Sequence, residues 1–140
     1  MDPLTIIGSV IALTQAADRT MTLATKVRRY FRASDEITAL INEISDLGLV
    51  LGKLQSNTPM FPAQELPTLQ KLLDSCNRTI LRVENMIQDV YVKSIDSDGS
   101  EKPRFRRLVW LRKRSEIDRL SQQLRDSRTL LTLQLVGVNA

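Results

Sequence analysis

The chain has 140 residues, 42% of them hydrophobic and 26% charged, which suits one soluble domain with one core and excludes wholesale disorder and collagen-like repeats. Aromatics at 4%, with five Gly and five Pro, are too few for an all-β sandwich, so the composition leans to helix. Net charge is +4 with no histidine, which removes the commonest general base and the commonest metal ligand.

A single cysteine excludes an internal disulfide framework and a Cys-based zinc site. Cys76 falls in an apolar register, where a buried reduced thiol is expected rather than a nucleophile. The glycines stand singly, so no phosphate-cradling loop is present. The expectation is a protein that is not an enzyme, with no cofactor and no metal.

The first element opens at Asp2-Pro3, an N-cap followed by the residue best tolerated at the first helical position. Residues 3–17 carry no charge; as a helix they span about 22 Å, short of a ~30 Å bilayer core. No basic n-region precedes them and position 2 is not Gly, so neither a secretory signal nor myristoylation is expected. Helical spacing continues through Ile6, Val10, Leu13, Ala17, Met21, Ala24, Val27 and Phe31. Ser34 is the expected N-cap of a second helix, with Asp35 and Glu36 in its first turn. Ile37, Leu40, Ile44, Leu47, Leu51 and Leu54 alternate by three and four residues, and residues 58–62 read as a loop.

A third helix starts between Ala63 and Thr68, because Pro67 is tolerated only in a first turn. Its stripe of Leu69, Leu73, Cys76, Ile80, Val83, Ile87 and Val90 is the strongest pattern in the chain. Residues 93–103 are polar and read as a flexible connection. A fourth segment follows with Ile117, Leu120, Leu124, Leu131 and Leu135. Ser115 with Asp118 offers a capping box where this helix could restart, and Gly137 is a plausible stop. The sum is an all-α, antiparallel four-helix bundle, one domain over residues 1–140, with helices near 3–31, 35–56, 65–92 and 104–136 and no sheet.

Residues 102–128 hold ten bases against three acids, a local charge of +7 on a remainder of −3. A basic patch on a near-neutral body points to an anionic partner. Phe105 and Trp110 among arginines fit a membrane interface, where rings sit at headgroup level and bases meet anionic lipid. The candidate anionic-lipid patch is Arg104, Arg106, Arg107, Trp110, Arg112, Lys113 and Arg114, extended by Lys26, Arg28, Arg29 and Arg32. A plain solvated face stands beside this reading. Nucleic acid has no supporting motif.

The opening MDPLTIIGSVIALTQAA and the closing RFRRLVWLRKRSEIDRLSQQLRDSRTLLTLQL resemble the N-terminal domain of fungal NOD-like (STAND) receptors and their ankyrin-repeat relatives, in the HeLo-like group. The resemblance implies a HeLo-like four-helix bundle at the head of a larger receptor, with further receptor domains in the same chain. It also implies a signalling or effector role in fungal innate immunity. Such a domain would be cytoplasmic, self-associating and recruited to membrane on activation, in regulated cell death. In related domains the first helix is the membrane-active element, a role that would fall here on Leu4, Ile6, Ile7, Val10, Ile11 and Leu13. The alternative is a non-lytic interaction or autoinhibitory module.

Overall fold

In the computed structural model, residues 2–31, 35–95, 99, 101–105 and 107–139 are described, with 30, 31, 91–95, 101–105, 107 and 139 described by their backbone. Helix α1 spans Pro3–Phe31, α2 Asp35–Asn57, α3 Leu66–Val90 and α4 Arg107–Asn139. Strands β1 (Tyr91–Ile95) and β2 (Glu101–Phe105) lie between α3 and α4. Asp2 caps α1 as its sequence suggests: its Oδ1 accepts the Leu4 N–H at 3.0 Å. The expected cap of α2, Ser34, lies outside the described residues.

Each stripe read from the sequence packs inward, save that the Phe31 side chain lies outside the described residues. Ile6, Val10, Leu13, Ala17, Ala24 and Val27 from α1 meet Ile37, Leu40, Ile44, Leu47, Leu51 and Leu54 from α2 in one core. The α3 row from Leu66 to Val90 and Ile117, Leu120, Leu124, Leu131 and Leu135 of α4 complete it. Met21 is only partly buried against this core. The α2–α3 connection is two 3-10 turns, Thr58–Met60 and Ala63–Glu65, with Phe61 buried between them. Pro67 then sits in the first turn of α3, where its missing N–H costs nothing.

Successive helices reverse direction, yet the lateral order around the bundle is α1, α2, α4, α3. Packing runs α1 on α3, α3 on α4, α4 on α2 and α2 on α1. Two neighbouring pairs are therefore parallel. Ser9 meets Gln70 and Arg19 meets Glu84 along α1 and α3; Glu36 meets Arg114 and Glu43 meets Arg125 along α2 and α4. An up-down chain with a short α2–α3 turn would place those two side by side. Here eight residues join them across the diagonal.

Three expectations are corrected. At residues 93–95 and 101–103 the expected flexible connection is strand, and the chain is not free of strand pairing: β1 and β2 form an antiparallel ribbon from Tyr91↔Phe105 to Ile95↔Glu101, with 96–98 and 100 outside the described residues. Between the strands, Gly99 stands at φ +84°, a left-handed conformation that glycine adopts without strain. Pro103 is accepted in β2 because each strand of a two-stranded ribbon is an edge. The ribbon ends α3 at Val90 and delays α4 to Arg107. Nor does α4 restart at Ser115 or stop before Gly137; it runs unbroken to Asn139.

Candidate anionic-surface site

The alternating helices give the bundle two poles. One holds the end of α1, the start of α2, the β1–β2 hairpin and the start of α4. The other holds the start of α1, the 3-10 turns and the end of α4. A helix of 29 residues separates them by about 44 Å.

At the hairpin pole the first two turns of α4 sort their side chains sharply. Trp110 is 5% exposed and belongs to the core, whereas Leu108 and Leu111 are 72% and 56% exposed. The expected headgroup-level tryptophan is therefore corrected: the ring packs inward, and two leucines face solvent in its place. Trp110 falls seven residues before Ile117, which is seven before Leu124, and this spacing carries it to the buried side.

The bases divide in the same way. Lys113 Nζ donates to Asp89 Oδ2 of α3 at 2.7 Å, and Arg114 donates to Glu36 Oε1 of α2. Both tie α4 to its neighbours. Arg112 is exposed and makes no ion pair among the described residues, nor do Lys26 and Arg28 at the end of α1. Arg104 and Arg107 are described by backbone alone, in β2 and at the first position of α4, and the side chains of both, like Arg106 and Arg32 entirely, lie outside the described residues. What converges is Leu108, Leu111 and Arg112 on one outward face, a combination of apolar anchors and a free cation.

The matching family model is that described as pigment biosynthesis cluster protein PigL N-terminal, over residues 1–140. The chain belongs to this family. No curated protein and no solved structure matches it. Membership of the PigL N-terminal family fits the fungal N-terminal helical domain, related to the HeLo-like group, that the sequence suggests; it does not extend to NOD-like receptors in particular.

In this PigL N-terminal domain the candidate membrane-active helix divides by face. Ile6, Val10 and Leu13 are 0–1% exposed. Leu4 and Ile11 reach solvent and Ile7 is half-buried. The first half of α1 is thus a core helix with one uncharged outer face, rather than a helix buried all round. Among the described residues no helix is long and apolar enough to cross a membrane, and no group of three or more acidic or thiol side chains is placed to hold a metal. Burial pushes the Cys76 thiol up to about 12, so it is protonated at neutral pH and inert as a nucleophile.

Proposed function

We propose that this domain is a non-enzymatic fungal signalling module that attaches peripherally to an anionic membrane surface by its hairpin pole. The observation that carries the reading is the exposed Leu108–Leu111–Arg112 face, with its bridged neighbours Lys113 and Arg114 holding α4 in place. The leucines enter the headgroup layer and the free cation meets anionic lipid, where each base contributes about 1 kcal/mol. Self-association and further domains in the same polypeptide belong to the same proposal, as does a cytoplasmic resting state.

The α1-led reading, in which the domain is a receptor-borne cell-death effector, draws on the uncharged outer face with Leu4 and Ile11. It requires α1 to leave the bundle. Four large side chains of α1 are at most 1% exposed, Ile6, Val10, Leu13 and Val27. At roughly 1.5–3 kcal/mol each, withdrawing them costs on the order of 6–12 kcal/mol, comparable with the ~5–15 kcal/mol that holds a whole domain. Surface attachment demands no such step, and it is the preferred reading.

Vesicle sedimentation tests it. Wild type should bind phosphatidylserine-containing vesicles over phosphatidylcholine alone, and less so with salt, which screens exposed charges to ~8 Å at physiological strength. Leu108→Ser, Leu111→Ser and Arg112→Glu together should abolish binding with circular dichroism unchanged. Equal binding by this variant and wild type would assign the face to solvent. Release of vesicle contents by the wild-type domain, lost in a folded Ile11→Glu variant, would favour the α1-led reading instead.

A further inference from the structure

A second polar site lies on the flank of the bundle, away from both poles. Antiparallel packing of α3 and α4 opens a groove of about 370 Å³ whose walls include Arg78 and Arg82 on one side and Gln123, Asp126 and Ser127 on the other. Arg78 and Arg82 are four residues apart on one helix face, where like charges repel. Neither makes an ion pair or a side-chain hydrogen bond among the described residues, although Asp126 shares the groove. Asp126 instead accepts the Gln122 Nε2–H at 3.1 Å. The side chains of Ser75, Gln123 and Ser127 are likewise without hydrogen-bond partners among the described residues. The groove therefore gathers two uncommitted guanidinium forks, two hydroxyls and an amide, each able to donate, beside the Asp126 carboxylate.

We propose that this groove binds a phosphate monoester. Guanidinium forks match the oxygens of a phosphoryl group bidentately, and a doubly charged ligand relieves the Arg78–Arg82 repulsion. Ser75, Gln123 and Ser127 supply neutral donors to the remaining oxygens. Asp126 opposes the charge of the ligand and limits its affinity. The phosphoryl group comes either from a soluble phosphorylated metabolite or from the headgroup of a phosphomonoester lipid, and the chemistry of the groove is common to both. The site shares no residue with the hairpin pole, so it stands or falls independently of surface attachment there.

The test is titration of the domain with inorganic phosphate, followed by NMR of the arginine Nε–H signals. Saturable shifts at Arg78 and Arg82 are expected. Arg78→Gln with Arg82→Gln should weaken binding by about tenfold or more, the factor that 1.4 kcal/mol represents. Asp126→Asn should strengthen it, a gain that damage to the fold would not produce. Shifts that rise without saturating, an unchanged affinity in the double variant, or weaker binding by Asp126→Asn would each overturn the proposal. Vesicles of phosphatidylcholine with phosphatidic acid, offered to protein already carrying Leu108→Ser, Leu111→Ser and Arg112→Glu so that the hairpin pole does not hold them, separate the two sources. Vesicle binding lost in the double arginine variant assigns the phosphate to lipid. Phosphate binding lost with vesicle binding intact assigns it to a soluble ligand.

Discussion

Leu13→Ala separates an α1 that is part of the cooperative core from an α1 that is detachable. Leu13 is 1% exposed, between α1 residues Val10 and Ala16 that are buried as deeply. Truncating a buried leucine costs roughly 2–5 kcal/mol, because the vacated space is only partly refilled. Taking about 3 kcal/mol and a urea m-value of about 2 kcal/mol/M, the unfolding midpoint should fall by about 1.5 M with the slope unchanged. Leu4→Ala, nine residues earlier and 71% exposed, should change stability by no more than about 0.5 kcal/mol. Urea unfolding followed by far-UV circular dichroism measures both. A midpoint unmoved by Leu13→Ala, or a curve in which a first transition carries the helicity of α1 alone, would refute the reasoning. Either result would show that α1 parts from the other three helices at little cost, and the α1-led effector would become the better reading.

Ile80, wholly buried in the middle of α3, should not tolerate Asp: an unpaired core charge costs several kcal/mol, and loss of the cooperative unfolding transition is expected. Glu43→Ala should destabilise by about 1–2 kcal/mol in denaturant unfolding. That is less than a fully buried ion pair, because the side chains of Arg125 and Arg128, which it ties at 2.9 and 3.4 Å, remain 52% and 28% exposed. Cys76 should resist thiol reagents in native protein and react on unfolding. With its pKa raised from 9.0 to about 12 by burial, it leaves stability unaffected below pH 9 and lowers it as pH climbs towards 12, while the unfolded thiol ionises first. Cys76→Ala should lack that alkaline component.

The helices were legible where apolar spacing persists over many turns. In α2 and α3 the three-four alternation from Ile37 to Leu54 and from Leu69 to Val90 names core residues one by one, since only one face of a long helix can be buried. The β1–β2 ribbon was not, because Lys93, Ser94, Lys102 and Pro103 show no apolar alternation. Its one usable signal is the Asp98-Gly99 pair, which is turn chemistry. The capping box at Ser115 misled, since a Ser-x-x-Asp spacing inside a continuous helix yields to the backbone ladder. Reading Trp110 by chemistry rather than by its seven-residue spacing hid the exposed Leu108 and Leu111. Lateral order was beyond reach: stripes give faces, not neighbours, and nothing local to Glu43 announces Arg125 and Arg128 more than eighty residues away.

The parallel run of α2 and α4 has a mechanical consequence. The two helices are tied at Glu36–Arg114 and again at Glu43 through Arg125 and Arg128. Arg125 and Arg128 lie about one turn apart on α4, so a slide by a single turn, about 5.4 Å, would break the Glu36–Arg114 tie and still leave Glu43 an arginine. Slippage of this unbroken helix of 33 residues, about 50 Å long, is therefore opposed at Glu36 and tolerated at Glu43. The two ties thus differ in kind: Glu36–Arg114 marks one register of α4 on α2, and Glu43 accepts either of two.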